Sequence, residues 1–244
     1  MRTLLGSGGI RTTERVSLYV EETQRHFGDV RQVLFVPWAL DAHDAYLALM
    51  NERGLDAGYE LVGLHTFEDP IAAINDAEAI SVGGGNTFRL AWELHRSGAM
   101  AAIRNRVIDD GIPYMGVSAG TNIACPTLQT TNDMPIVRPE SFTTLGLVSF
   151  QINAHYFEGS TWVRLDDGSY VEHYGETRND RLREYHEMND LPVIGLREGS
   201  YLRCTDDTVE LVGSPARIFV SGREAEDVNS GDNLAERLSR HGQC

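Results

Sequence analysis

Gly116-Val117-Ser118-Ala119-Gly120 sets a serine between two glycines, with small residues on either side. An apolar segment, Tyr114-Met115, precedes it and a helix-compatible segment follows. This is the G-x-S-x-G pattern of a nucleophile elbow. A serine on such a strand-to-helix turn sits in strained backbone, and flanking glycines spare it clashes with neighbouring strands. The helix that follows aims free N–H groups at the site, which favours developing negative charge. The chemistry on offer is attack by Ser118 on a carbonyl. The same five residues also fit a glycine-rich turn whose serine merely caps a helix, so the partners decide.

An acyl-transfer site needs an oxyanion hole, a base and a group to orient the base. Val82-Gly83-Gly84-Gly85-Asn86-Thr87 forms a second glycine-rich strand end. The backbone amides of Gly84 or Gly85, with that of Ala119, are the candidate oxyanion donors. A phosphate cradle fits less well. No Gly-Lys-Ser/Thr follows, and Phe88 occupies the last position of G-x-G-x-x-G. Gly6-Ser7-Gly8-Gly9 is similarly incomplete and reads as a turn after the first strand. Among eight histidines, His155 follows an apolar strand and precedes a loop, where a sheet delivers a catalytic imidazole. His26, His43, His65 and His95 suit surface or packing roles. Two carboxylates compete to orient His155. Glu198 directly follows an apolar strand. Asp133 lies in Thr130-Thr131-Asn132-Asp133-Met134-Pro135, whose turn chemistry is a structural explanation in itself. Position favours Glu198, and both stay open. His186-Glu187-Met188-Asn189-Asp190 lacks the second histidine of H-E-x-x-H, so no metal is expected. Cys125 lies off the elbow and reads as packed.

Alternating elements must carry these residues. Strands are expected at Thr3–Leu5, 32–36, 60–65, 79–82 and 113–117. Helices are expected at about 13–27, 41–55 (capped by Asp41), 87–95 and 100–110, with Asp69-Pro70 opening a further short one. This rhythm predicts a mostly parallel sheet with helices on both faces. Beyond about residue 145 the pattern changes. Residues 158–174 read as a long loop or hairpin, 178–188 as a helix, and 192–196, 201–205, 208–212 and 217–220 as short strands. Asp206-Asp207 suits a hairpin turn, and the tail after Gly222 reads as frayed or weakly helical. No linker or repeat interrupts 1–244, which is read as a single α/β domain.

The chain has 36 acidic and 21 basic residues in 244, a formal charge of −15. Such a surface disfavours nucleic acid and anionic membrane as partners. Cys125, Cys204 and Cys244 are odd in number, widely spaced and free of CxxC, which points to a reducing cytosol. The N-terminal segment lacks a signal-peptide apolar core, and no apolar run reaches spanning length. A cytoplasmic protein is expected.

In order along the chain come Val82-Gly83-Gly84-Gly85-Asn86-Thr87-Phe88, Gly116–Asn122, Ala124-Cys125-Pro126, Thr130–Val137, Gln151-Ile152-Asn153-x-His155, Gly175-Glu176-Thr177-Arg178 and Val193–Gly199. Across about residues 30–220 the chain resembles the peptidase E family, aspartyl dipeptidases of the serine-peptidase group that also includes cyanophycinase. The resemblance implies a flavodoxin-like or class I glutamine-amidotransferase-like three-layer α/β sandwich. It implies cleavage of small peptides with N-terminal aspartate, without a cofactor, by a monomer or homodimer. It implies Ser118 as nucleophile, His155 as base, and Asp133 or Glu198 as third member. It implies Arg178 as the ligand of the aspartate side chain, with Asn86 beside the substrate. A guanidinium suits that role because it grips a carboxylate through two parallel hydrogen bonds. The segment between His155 and Gly175 is longer than the family's compact version, and Ala154 stands where proline is frequent. Cyanophycinase-like or isoaspartyl cleavage is the alternative within the fold. A non-catalytic ligand-binding protein is the alternative outside it.

Overall fold

A computed structural model of the chain describes residues 1–239; Cys244 lies outside the described residues. The elements follow in order: β1 (Thr3–Gly6), α1 (Thr13–Phe27), β2 (Gln32–Val36), α2 (His43–Glu52), β3 (Glu60–Gly63), α3 (Pro70–Asp76), β4 (Ile80–Val82), α4 (Thr87–Arg96), α5 (Ala99–Ile108), β5 (Tyr114–Val117) and α6 (Ala119–Ala124). Then come β6 (Gln151–Ala154), β7 (Trp162–Arg164), β8 (Tyr170–Glu172), α7 (Arg178–Met188), β9 (Val193–Leu196), β10 (Ser200–Cys204), β11 (Val209–Gly213), β12 (Ala216–Phe219), β13 (Glu226–Val228) and α8 (Ala235–Leu238).

The main sheet has seven strands in the order β11-β10-β1-β5-β4-β2-β3. From β1 to β3 every pairing is parallel, and β10 and β11 extend one edge antiparallel. Successive side chains of a strand face opposite ways, and each face has its own core. Leu4, Val33, Phe35 and Met115 pack with Tyr19 and Phe27 of α1 and Met50 of α2. Leu5, Leu34, Val36 and Ile80 pack with Leu90, Leu94, Ile103 and Ile123 from α4, α5 and α6. The three-layer α/β sandwich expected from the sequence is therefore present.

A second sheet was not anticipated. Its order is β13-β12-β9-β6, with β6 and β9 parallel. Ile152, Ile194 and Val228 of this sheet share the core that holds Ile123 of α6. Strands this short and apolar carry no mark of which sheet they join, so the sequence does not assign 151–154 and 193–196 to a sheet of their own. Residues 158–174 form the exposed β7–β8 hairpin. Two local readings change. Asp41 does not cap α2, because its carboxylate is 2.9 Å from Arg89 Nη1 and Ala42 takes the cap position. The tail after Gly222 contains β13 and α8, anchored by buried Val228, Leu234 and Leu238.

Candidate active site

Five strand ends converge on one edge: Ser118 directly follows β5, Gly83 follows β4, Ser7 follows β1 and His155 follows β6, while Glu198 lies two residues past β9. Ser118 has φ 55° and ψ −108°, backbone that L-residues rarely adopt. Local sterics explain the flanking glycines. A Cβ on Gly116 would strike the Gly120 carbonyl, and one on Gly120 would strike the Val82 carbonyl. Tyr114 Oη donates to Gly120 O at 2.6 Å. Thr121 Oγ1 lies 2.7 and 2.8 Å from the carbonyls of Gly6 and Gly116, tying the first turn of α6 to both strands.

Ser118 Oγ is 2.8 Å from His155 Nε2. With the serine hydroxyl donating, Nδ1 of His155 carries the other proton, and it faces Glu198 Oε1 at 3.4 Å. The two side chains meet because β6 and β9 are parallel neighbours with Ala154 opposite Leu196, so both strands end at the same edge, one releasing His155 directly and the other Glu198 two residues on. Asp133 is engaged elsewhere. Its Oδ2 accepts from the Thr87 amide at 2.7 Å, the Thr87 hydroxyl at 2.6 Å and the Thr131 hydroxyl at 3.1 Å. It holds the N-terminus of α4, and Glu198 is the carboxylate at the histidine.

His155 also has a positive φ, 55°. Such strain persists only where surroundings over-determine it. Here the His155 amide donates to Ser7 Oγ at 2.8 Å, and Ser7 Oγ donates to Leu196 O at 2.8 Å. Ser7 is fully buried. A Cβ on Gly8 would lie 3.0 Å from His155 Cε1, and one on Gly9 would collide with the Glu198 carboxyl group. Gly6-Ser7-Gly8-Gly9 is thus the cradle of the His155–Glu198 pair rather than only a turn. Arg15 Nη1 stands 3.1 Å from both Glu198 Oε2 and Gly9 O, fixing the far side of that carboxylate. Sequence reasoning missed Ser7 and Arg15. The available signal was a second small-residue cluster at a strand end, shortly before Arg15 in the first turn of α1.

Of the oxyanion candidates, Gly84 donates its amide to Tyr46 Oη at 2.8 Å. Burial raises the Tyr46 pKa, which keeps that hydroxyl protonated. The Gly85 amide has no hydrogen bond among the described residues. The Ala119 amide stands at the first position of α6, where no intrahelical acceptor exists. Gly85 and Ala119 are the free pair, while a Cβ on Gly84 would press on Ser118 Cβ at 3.2 Å. Asn86 caps α4, accepting from Arg89 N at 3.0 Å and donating to Met134 O at 2.9 Å.

Arg178 opens α7 as its first residue, within the Thr177–Asp180 capping box. Its guanidinium lies over the Phe157 ring, 5.5 Å from the centroid. Nε is buried without a hydrogen-bond partner. Desolvation and then the Arg181 charge lower its pKa, while the Asp133 charge opposes them. It stays cationic, since arginine ionises far above neutrality. The thiols of Cys125 and Cys204 are buried and pushed up to about 12, so neither is a competing nucleophile.

The fold and this arrangement define a serine hydrolase site on a three-layer α/β sandwich. The model of peptidase family S51 matches residues 3–212, and the chain belongs to that family. Among curated proteins, a peptidase E of Streptomyces coelicolor is 48% identical over 87% of this chain and 84% of its own length. A Drosophila melanogaster protein described as "probable alpha-aspartyl dipeptidase" is 42% identical over 82% and 80%. The crystal structure of a peptidase from an acI-B1 actinobacterium shares the fold, with a TM-score of 0.66, 17% identity and 96% coverage of both chains.

Proposed function

We propose that the protein is a serine-type dipeptidase that hydrolyses Asp-Xaa dipeptides and short peptides with N-terminal aspartate. The 2.8 Å contact of Ser118 Oγ with His155 Nε2, on an elbow strained as a nucleophile requires, carries the reading. Ser118 Oγ attacks the carbonyl of the N-terminal residue while His155 Nε2 takes its proton. The oxyanion forms against the amides of Gly85 and Ala119. His155 returns the proton to the leaving amine, and water, activated by the same imidazole, releases the acyl group. Glu198 holds the Nδ1–H tautomer and stabilises the imidazolium. Arg178 supplies the selectivity, because a half-buried cation with an unpartnered Nε favours a carboxylate ligand. The Drosophila relative's description supports this substrate class. The working location is the cytoplasm.

Hydrolysis of Asp-Leu, Ala-Leu and Glu-Leu tests the reading. Asp-Leu should be preferred, Arg178→Met should erase the preference, and Ser118→Ala should abolish turnover. Undiminished cleavage by Ser118→Ala would sink it.

A further inference from the structure

A cavity of about 240 Å³ opens beside the catalytic pair, on the sheet face covered by α1 and α2. Phe35, Tyr46, Met50, Leu55 and Val117 line it, with exposed Leu49 at its rim. Ser118, His155 and Glu198 line it as well, whereas Arg178 and Asp133 do not. We propose that this cavity is the leaving-group subsite. It takes an apolar side chain from the residue after the scissile bond, and Arg11 binds that residue's free α-carboxylate. The proposal rests on the dipeptidase reading above.

Three observations carry it. First, the leaving nitrogen takes its proton from His155 Nε2, so the leaving residue lies on the side of the imidazole. His155 borders this cavity, and the aspartate's ligand Arg178 is elsewhere. Second, the lining is aromatic and aliphatic, and its volume lies below the ~300–1,000 Å³ of sites for whole ligands. It suits one apolar side chain. Third, Arg11 borders the cavity and is exposed, with no ion-pair or side-chain hydrogen-bond partner among the described residues. Its neighbours in the site are committed: Arg15 to Glu198 and Gly9, and Arg53 to Ile10 O at 2.6 Å. The Arg53 bond fixes the backbone next to Arg11. An uncommitted guanidinium at the border of this cavity meets the carboxylate of a dipeptide, but only main chain in a longer peptide. The same contact therefore favours dipeptides over longer chains.

The test compares kcat/KM for Asp-Leu, Asp-Gly and Asp-Leu amide in the wild type, Arg11→Ala and Arg11→Lys. The wild type is expected to prefer Asp-Leu over Asp-Gly by about tenfold or more, the discrimination apolar pockets give for added carbons. Arg11→Ala is expected to cut the preference for Asp-Leu over its amide by about tenfold, and Arg11→Lys to restore part of it. Equal rates on Asp-Leu and Asp-Gly overturn the subsite, as does an unchanged acid-to-amide preference in Arg11→Ala. A wild type that cleaves no Asp substrate overturns the dipeptidase reading itself, which tells the two failures apart.

Discussion

Whether a carboxylate can serve a histidine depends on the partners it already has. Asp133 accepts three hydrogen bonds from Thr87 and Thr131, whereas Glu198 shares its two oxygens between His155 and Arg15. Substitution at each should therefore fail differently. Glu198→Gln keeps the shape but removes the charge behind the imidazolium, and should lower kcat at least ~100-fold with little change in folding stability. Asp133→Asn weakens the N-terminal anchor of α4 and should cost about 1 kcal/mol of stability. Steady-state kinetics and urea unfolding on the two variants separate these outcomes. The sequence favoured Glu198 by its position after a strand and offered turn chemistry as an explanation for Asp133, but neither signal reports contact with the imidazole. Only the parallel register of β6 and β9 brings one of them to the imidazole.

The strands and helices were legible wherever periodicity and punctuation agreed. α1, β2 and α7 begin and end as the pattern predicts, because Thr12, Pro37 and the Thr177–Asp180 pair mark their limits in the chain itself. The second sheet was not legible, since sheet membership is a tertiary choice that a four-residue apolar run does not encode. The Ser7 contacts were hidden for the same reason: a serine between glycines looks like a turn until its distant partners are known. Ser7→Ala strands the half-buried His155 amide and frees a residue held at positive φ. It should cost ~1–3 kcal/mol in urea unfolding and lower kcat more than it raises KM. Helix α1 carries a pH dependence of its own. Burial, then the Arg2 charge, push His26 down to about 3, and its Nε2 donates to Tyr114 O at 3.0 Å. The folded state keeps His26 neutral while the unfolded chain protonates near 6.5, so the unfolded state binds the extra proton between pH 6.5 and 3. Stability from this residue is complete above that window. It falls by at most about 1.4 kcal/mol per pH unit on acidification. Urea titrations at pH 7 and 5 should show a smaller loss in His26→Gln than in the wild type.

At the scale of the molecule, the antiparallel edge is pinned to the first helix by a charge cluster. Arg203 on β10 reaches Glu22 on α1 at 2.5 and 2.6 Å, and Glu210 on β11 at 3.0 Å. Glu22 is 2% exposed, and these partners raise the Arg203 pKa. Arg203→Met leaves a carboxylate buried without its cation and should cost about 3–5 kcal/mol, whereas Glu22→Leu combined with Arg203→Met should recover most of that loss. Equilibrium unfolding of the single and double variants checks both values. The clasp that joins Ser7 to Leu196 and Ser200 has a temporal consequence as well. A ribosome delivers the first strand and Ser118 well before β9 and β10 emerge, at about 5–20 residues per second. Until those strands return to the amino-terminal loop, the serine has no clamped imidazole and the imidazole has no carboxylate. A site whose serine, imidazole and carboxylate follow β5, β6 and β9 stays incomplete during synthesis until β9 has emerged and met the amino-terminal loop.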